Sequence, residues 1–144
     1  MTTPFTLPDT PLAPVAGSEE KFPIRRIFCV GANYAKHAKE MGRDPERDPP
    51  FFFTKWAETF VENGGTVPYP QGTENFHFEA ELVVAIDKTA RNISADEAGE
   101  IIYGYATGLD MTRRDLQLQA REKGRPWDTG KNVEASAPMG AIHK

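Results

Sequence analysis

The sequence predicts an α+β domain that is mostly β, with short helices. Three features carry that expectation: several strand-length runs of β-branched, aliphatic or aromatic residues, frequent Gly and Pro turns between them, and helical stretches that are few and short. Residues 1 to 22 stand apart. They combine Pro4, Pro8, Pro11 and Pro14 with Gly17 and Ser18 and show no apolar period, which describes an extended or disordered surface arm. Residues 23 to 144 are expected to form the folded part.

Ile24 to Val30 suits a strand, which breaks at Gly31-Ala32-Asn33 into a short helical stretch from Tyr34 to Met41, stopped by Gly42. After turns at Pro45, Pro49 and Pro50, the run Phe51-Phe52-Phe53-Thr54-Lys55 reads as a short buried strand, because three consecutive aromatics need cover on both faces. Gly64-Gly65, Pro68 and Pro70 mark further turns. Glu79 to Ile86 is the strongest strand, and its Leu82-Val83-Val84-Ala85-Ile86 core suits a sheet buried on both sides. Ser94 and Glu97 form a capping box that opens a helix. Tyr103 to Leu109 suits another strand, and Thr112-Arg113-Arg114-Asp115 opens a helix that runs to about Glu122, closed by Gly124 and Pro126.

A chain of 144 residues with 39% hydrophobic content fits a single modest core rather than two domains. Its net charge of -4 and pI near 5.4 leave no broad basic surface, which argues against nucleic acid and for a small-molecule partner. Cys29, the single cysteine, cannot form an intramolecular disulfide and sits among Ile27, Phe28 and Val30, so a buried thiol in a reducing compartment is expected. Prolines interrupt the N-terminus where a signal peptide needs an apolar run, and nothing approaches the roughly 20 apolar residues of a membrane span. A cytoplasmic protein is expected.

In Glu79-Ala80-Glu81 the carboxylates are two residues apart, and on a strand that spacing points both to one face. Like charges held together call for a cation or a shared proton. Asp110, at a strand-to-helix junction, is a third carboxylate of the kind α/β enzymes use. With no nearby Cys, an all-oxygen site of this kind suits Mg2+ or Mn2+ rather than Zn2+. The same spacing also describes a solvated strand end followed by an ordinary helix-initiating Asp, and spacing alone does not choose. His37 and Glu40, three apart, share a helix face on which the carboxylate can orient the imidazole to activate water; a plain surface pair has the same spacing.

Taken together, the run Cys29 to Glu40 (CVGANYAKHAKE), Pro50 to Lys55 (PFFFTK), His77 to Leu82 (HFEAEL), Gly108 to Gln117 (GLDMTRRDLQ) and Gly124 to Lys131 (GRPWDTGK) closely resemble, in order and spacing, the opening blocks of the fumarylacetoacetate hydrolase family. Within it, residues 74 to 79 and the Asp48-Pro49-Pro50-Phe51 turn are most similar to the short fumarylpyruvate hydrolases of gentisate-type aromatic degradation. The resemblance implies a mixed, partly rolled β-sheet around a metal, and a homodimer. It implies Glu79, Glu81 and Asp110 as ligands of Mg2+ or Mn2+, His37 and Glu40 as the water-activating pair on a lid, and Lys131 as a cation beside the metal. Gln117, Lys55 and Arg114 become candidate substrate contacts.

The implied reaction is hydrolysis of a carbon–carbon bond in a small diketo acid, with fumarylpyruvate and water giving fumarate and pyruvate. The metal would polarise the 2-oxo-carboxylate end, and His37 would take a proton from the attacking water. The sequence departs from the family at Ala32, where many relatives carry an Arg able to grip a carboxylate, and at Trp56 and Asp87, where Pro and Gly are usual. The family's chains continue beyond the position of Lys144 with further strands, so a shortened form of a longer protein is expected. The same site could serve an acylpyruvate hydrolase, an oxaloacetate decarboxylase or a hydroxydienoate isomerase, and a non-catalytic fragment that only binds 2-oxo acids is the alternative from another class.

Overall fold

Extended segments dominate, as the β-branched and aromatic runs require. The computed structural model describes residues 3–31, 34, 42 and 49–144. In chain order the strands are β1 (Leu12–Pro14), β2 (Lys21–Pro23), β3 (Arg26–Gly31), β4 (Phe51–Trp56), β5 (Phe60–Glu62), β6 (Phe76–His77), β7 (Ala80–Ile86), β8 (Ile102–Leu109), β9 (Thr112–Arg113) and β10 (Ala137–Met139). Helix α1 (Arg114–Glu122) and the single-turn helix α2 (Asp128–Lys131) lie between β9 and β10. The helix expected over Tyr34 to Met41 falls largely outside the described residues.

The main sheet runs in the order β5-β10-β8-β7 and is mixed: β10 lies parallel to β5 and antiparallel to β8, and β7 is antiparallel to β8. β3 and β4 form an antiparallel pair, in register from Arg26 opposite Trp56 to Gly31 opposite Phe51. The smaller β6-β9 pair carries the chain from the turn region into the start of α1. A mostly β, mixed-sheet architecture with short helices is thus what forms.

The core is built from small side chains. Ala13, Ile24, Ala57, Ala85, Ala106 and Ile142 are buried together, with Phe22, Ile27 and Val83 packed against them. The strands β7 and β8 turn their odd and even residues respectively inward, so the small residues of β8, Gly104, Ala106 and Gly108, lie on its buried side. Part of the proline-rich segment contributes as well. β1 and β2 pair as a hairpin, Ala13 and Val15 are buried, and Ile142 exchanges backbone hydrogen bonds with Pro14 and Ala16 at 2.8 Å each.

Three local expectations change. Leu82, Val84 and Ile86 face outward with 62%, 42% and 54% of their surface exposed, so β7 is covered on one side only by the described residues. Phe28, Val30, Phe52 and Trp56 on the β3-β4 pair are likewise exposed. The aromatic run at Phe51 to Phe53 therefore alternates instead of being enclosed. The capping box also forms, with Ser94 donating to Glu97 Oε2 through its amide at 2.8 Å and its hydroxyl at 2.7 Å. It opens only a 3-10 turn (Ala98–Ile101), because β8 begins at Ile102 and leaves no length for an α-helix.

Candidate active site

The site begins where the β7-β8 ladder ends. Ala80 pairs with Leu109 and Glu81 with Gly108; one step further, the Glu79 amide donates to the Asp110 carbonyl at 3.2 Å and the Asp110 amide to the Glu79 carbonyl at 2.8 Å. That reciprocal pairing holds two carboxylates side by side at the strand ends. Glu81 shares the inward face with Glu79, two residues along. Opposite it, Gly108 has no room for a side chain: a Cβ there would come within 2.6 Å of Val83 Cγ2.

Cations reach the same place from three other elements. Lys131, at the end of α2, is 2% exposed, and its ammonium donates to Glu79 Oε2, Asp110 Oδ2 and Thr112 Oγ1, each at 2.7 Å. Its approach depends on close packing of the two helices, because a Cβ on Gly130 would lie 2.8 Å from the Gln117 amide nitrogen. Phe53 lies beneath the ammonium, 5.0 Å from Nζ to its ring centre. Arg114, at the first position of α1, pairs with Glu79 Oε1 and donates to Gln117 Oε1 at 2.6 Å. Thr73 and the Glu74 amide, both donating to the Asp115 carboxylate, tie the preceding turn to this helix start.

The remaining cation, Lys55 on β4, is buried at 3% exposure. Its ammonium donates to the carbonyls of Met111, at 3.1 Å, and Lys131, and lies 3.0 Å from Asp110 Oδ1. That last contact is an ion pair without hydrogen-bond geometry, so Asp110 Oδ1 is a buried carboxylate oxygen with no hydrogen bond among the described residues. The structure thus places Lys55 beside Asp110, with two of its donors engaged by backbone carbonyls.

The charges respond to this arrangement. Burial raises the Glu79 pKa, but Lys131 and Arg114 outweigh it and hold the carboxyl below its ordinary range. Glu81 goes the other way: burial pushes it up, a hydrogen bond from Tyr34 resists, and the negative charges of Asp110 and Glu79 add to the rise. Burial lowers the Lys55 pKa against the pull of Asp110. Cys29 is pushed up to about 11, first by burial and then by Asp110.

Of the residues singled out in the sequence, Glu79, Glu81, Asp110, Lys131, Arg114, Gln117 and Lys55 come together here; His37 and Glu40 lie outside the described residues, as does Ala32. Gln117 is 5% exposed and its amide oxygen is taken by Arg114. Thr112 was not anticipated. It is fully buried on Lys131, and its two-residue spacing from Asp110 in an extended stretch was the available signal. Beside Lys131 an open cavity of about 550 Å³ is lined by Phe51, Phe53, Pro126, Trp127 and Asp128. Trp127 packs edge-on against Phe51, with ring centres 5.3 Å apart, and so serves as its wall.

Whether these residues suit a metal follows from their chemistry. The donors are three carboxylates, hard oxygen ligands of the kind Mg2+ and Mn2+ take. A buried Asp110 oxygen accepts no hydrogen bond, and Glu81 is raised by burial and then by the negative charges of Asp110 and Glu79; a cation would satisfy the oxygen and offset the charges. Among the described residues no three acidic, His or Cys side chains stand close enough to grip an ion as they are, since the Lys131 ammonium lies between Glu79 and Asp110. The donor set fits a hard divalent cation, with the lysine satisfying the same oxygens.

Comparison with known proteins gives four informative matches. The family described as Fumarylacetoacetate (FAA) hydrolase C-terminal matches residues 26–144. A fumarylpyruvate hydrolase from Ralstonia sp is 60% identical over 104 residues, 71% of this chain and 54% of that protein. A mitochondrial oxaloacetate tautomerase from Arabidopsis thaliana is 39% identical over 117 residues, 81% of this chain and 52% of its own. Among solved structures, that of fumarylpyruvate hydrolase from Pseudomonas aeruginosa in complex with Mn2+ and pyruvate superposes with a TM-score of 0.90 at 49% identity, covering 99% of this chain and 63% of that one. The chain spans about half the length of the curated relatives it matches.

Proposed function

Because this chain belongs to the fumarylacetoacetate hydrolase family, we propose that it carries the metal-holding part of an enzyme that hydrolyses a carbon–carbon bond of a small diketo acid, fumarylpyruvate being the substrate of choice. The observation that carries this reading is the junction of Glu79 and Asp110 at one strand end, with Glu81 beside them and Lys131 across both. The Pseudomonas aeruginosa enzyme, whose structure holds Mn2+ and pyruvate, supports it.

Glu79, Glu81 and Asp110 are the residues that would hold Mg2+ or Mn2+, which supplies Lewis acidity toward the 2-oxo-carboxylate end of the substrate. His37, with Glu40 as its partner in the proposed pair, would take the proton of the attacking water, which adds to the carbonyl remote from the carboxylate. The carbon–carbon bond then breaks, its electron pair leaves on the pyruvate portion, and a proton completes pyruvate while the other portion departs as fumarate. Lys131 steadies the developing negative charge from its place beside Asp110. Arg114 holds Glu79 and fixes Gln117, so that the Gln117 amide nitrogen is the part of that side chain left for substrate. The reading assumes a cytoplasmic homodimer; among the described residues no helix is long and apolar enough to cross a membrane.

A second reading is favoured by the relatives named as oxaloacetate tautomerases: proton transfer between carbon and oxygen of oxaloacetate at the same site, with no carbon–carbon bond broken. One experiment separates the two. The protein is given fumarylpyruvate or oxaloacetate with Mn2+ and then EDTA, and products are identified. Fumarate and pyruvate appearing only with metal are expected. Enol-keto exchange of oxaloacetate without cleavage of fumarylpyruvate would overturn the hydrolase reading.

A further inference from the structure

Among the described residues, Lys55 and Lys131 are the two most deeply buried charged side chains. Lys55 sits on β4, yet its ammonium reaches the Met111 carbonyl 56 residues along the chain and the Lys131 carbonyl 76 residues along, and lies 3.0 Å from Asp110 Oδ1. Two backbone carbonyls accept its N–H groups and a carboxylate oxygen pairs with its charge, from two separate segments of the chain. Its side chain is 1% exposed and, unlike Lys131, does not line the cavity beside Phe51 and Trp127.

Each partner matters to the site in a different way. Asp110 has one oxygen on Lys131 and the other on Lys55, so the two ammonium groups fix the turn of the carboxylate from opposite ends. The Met111 carbonyl belongs to the peptide that follows Asp110 and leads to Thr112, a partner of Lys131. The Lys131 carbonyl belongs to the residue whose side chain carries the second ammonium. A single internal cation therefore ties the aspartate, the strand that follows it and the last turn of α2 into one frame.

We propose that Lys55 is a positioning residue: by joining Asp110 to the backbone at Met111 and Lys131, it sets the aspartate for metal binding and Lys131 for the substrate, itself contacting neither metal nor substrate. This deepens the metal-hydrolase reading and rests on it. Outer groups that orient metal ligands change metal affinity by about 10- to 100-fold when removed. A role in stability alone does not require that change.

The test is calorimetric titration of the protein with Mn2+, alongside thermal melts, for wild type, Lys55→Met and Thr59→Val. Thr59 is a fitting control because it is equally buried and its hydroxyl donates to the Trp56 carbonyl at 2.7 Å, away from the acids. Lys55→Met should weaken Mn2+ binding by about 10- to 100-fold, while Thr59→Val lowers the melting temperature and leaves Mn2+ affinity as in wild type. Lys55→Gln, which keeps a donor, gives the same comparison if the methionine variant does not fold. Lys55 variants that bind Mn2+ like wild type, or a Thr59→Val protein that loses as much affinity, would overturn the positioning role while leaving the metal reading intact. Absence of Mn2+ binding by wild type overturns both.

Discussion

Glu79 and Asp110 face each other as a reciprocal backbone pair, amide to carbonyl in both directions at 3.2 and 2.8 Å, and Lys131 bridges their carboxylates. Among the described residues Lys131 is the cation that pairs with both, while Arg114 pairs with Glu79 and Lys55 with Asp110. Lys131→Met removes the ammonium and leaves two carboxylates facing each other, one of them nearly buried. In EDTA this variant should lose about 3 kcal/mol of stability, the low end for breaking a buried ion pair because Glu79 is partly exposed. Added Mn2+ should then raise its melting temperature more than that of wild type. An unchanged melting temperature in EDTA contradicts the bridge.

The two glutamates should respond to pH in opposite directions. Glu79 has a lowered pKa in the fold, so its contribution is present above the unfolded value near 4.5 and is lost as pH falls through the folded value. Glu81 has a raised pKa, so its contribution is present below about 4.5 and is lost as pH rises through the folded value. In metal-free protein, Glu79→Gln should therefore blunt the acid-side loss of stability, and Glu81→Gln should raise stability toward neutral pH. Melts across that range check both, and parallel curves for the two variants contradict the assignment.

Gly108 is where close packing meets the site. A Cβ would press within 2.6 Å of Val83 Cγ2, opposite Glu81 and two residues before Asp110. Gly108→Ala should cost about 1 to 3 kcal/mol, the usual range for overpacking, with a matching fall in Mn2+ affinity as the strand ends shift. Denaturant titration and calorimetry measure the two effects, and a variant as stable as wild type contradicts the close approach.

These same residues explain what was legible in the sequence. The strands at β3, β4, β7 and β8 were readable because their β-branched and aromatic runs are bounded by Gly and Pro, and Glu79 with Glu81 because a two-residue spacing fixes a shared face. The exposure of Leu82, Val84 and Ile86 was not, since an unbroken apolar run does not say which side is covered. Ser94 and Glu97 gave a correct capping contact but no helix, because the following strand claims the chain first. The engagement of Lys55 and Lys131 was invisible to any local pattern. It depends on β4, β9 and α2 closing on one another, and only the family resemblance pointed at Lys131 beforehand.

Cys29 offers a test of burial that is independent of metal chemistry. With its pKa moved from an ordinary 9.0 to about 11, the thiolate fraction well below pH 9 falls by two units, about 100-fold. Alkylation of the native metal-free protein should be slower than that of the denatured chain by about that factor. Equal rates would place Cys29 in solvent.

Pyruvate release from fumarylpyruvate by wild type and by Glu81→Gln, measured across a range of Mn2+ concentrations, addresses the central assignment. The substitution removes one carboxylate charge and keeps the shape of the side chain. If Glu79, Glu81 and Asp110 hold the metal that activates the substrate, wild type releases pyruvate only with Mn2+, and Glu81→Gln falls by at least about 100-fold, with partial recovery at high Mn2+. Wild-type release that survives EDTA, or a Glu81→Gln protein that matches wild type at every Mn2+ concentration, would contradict it.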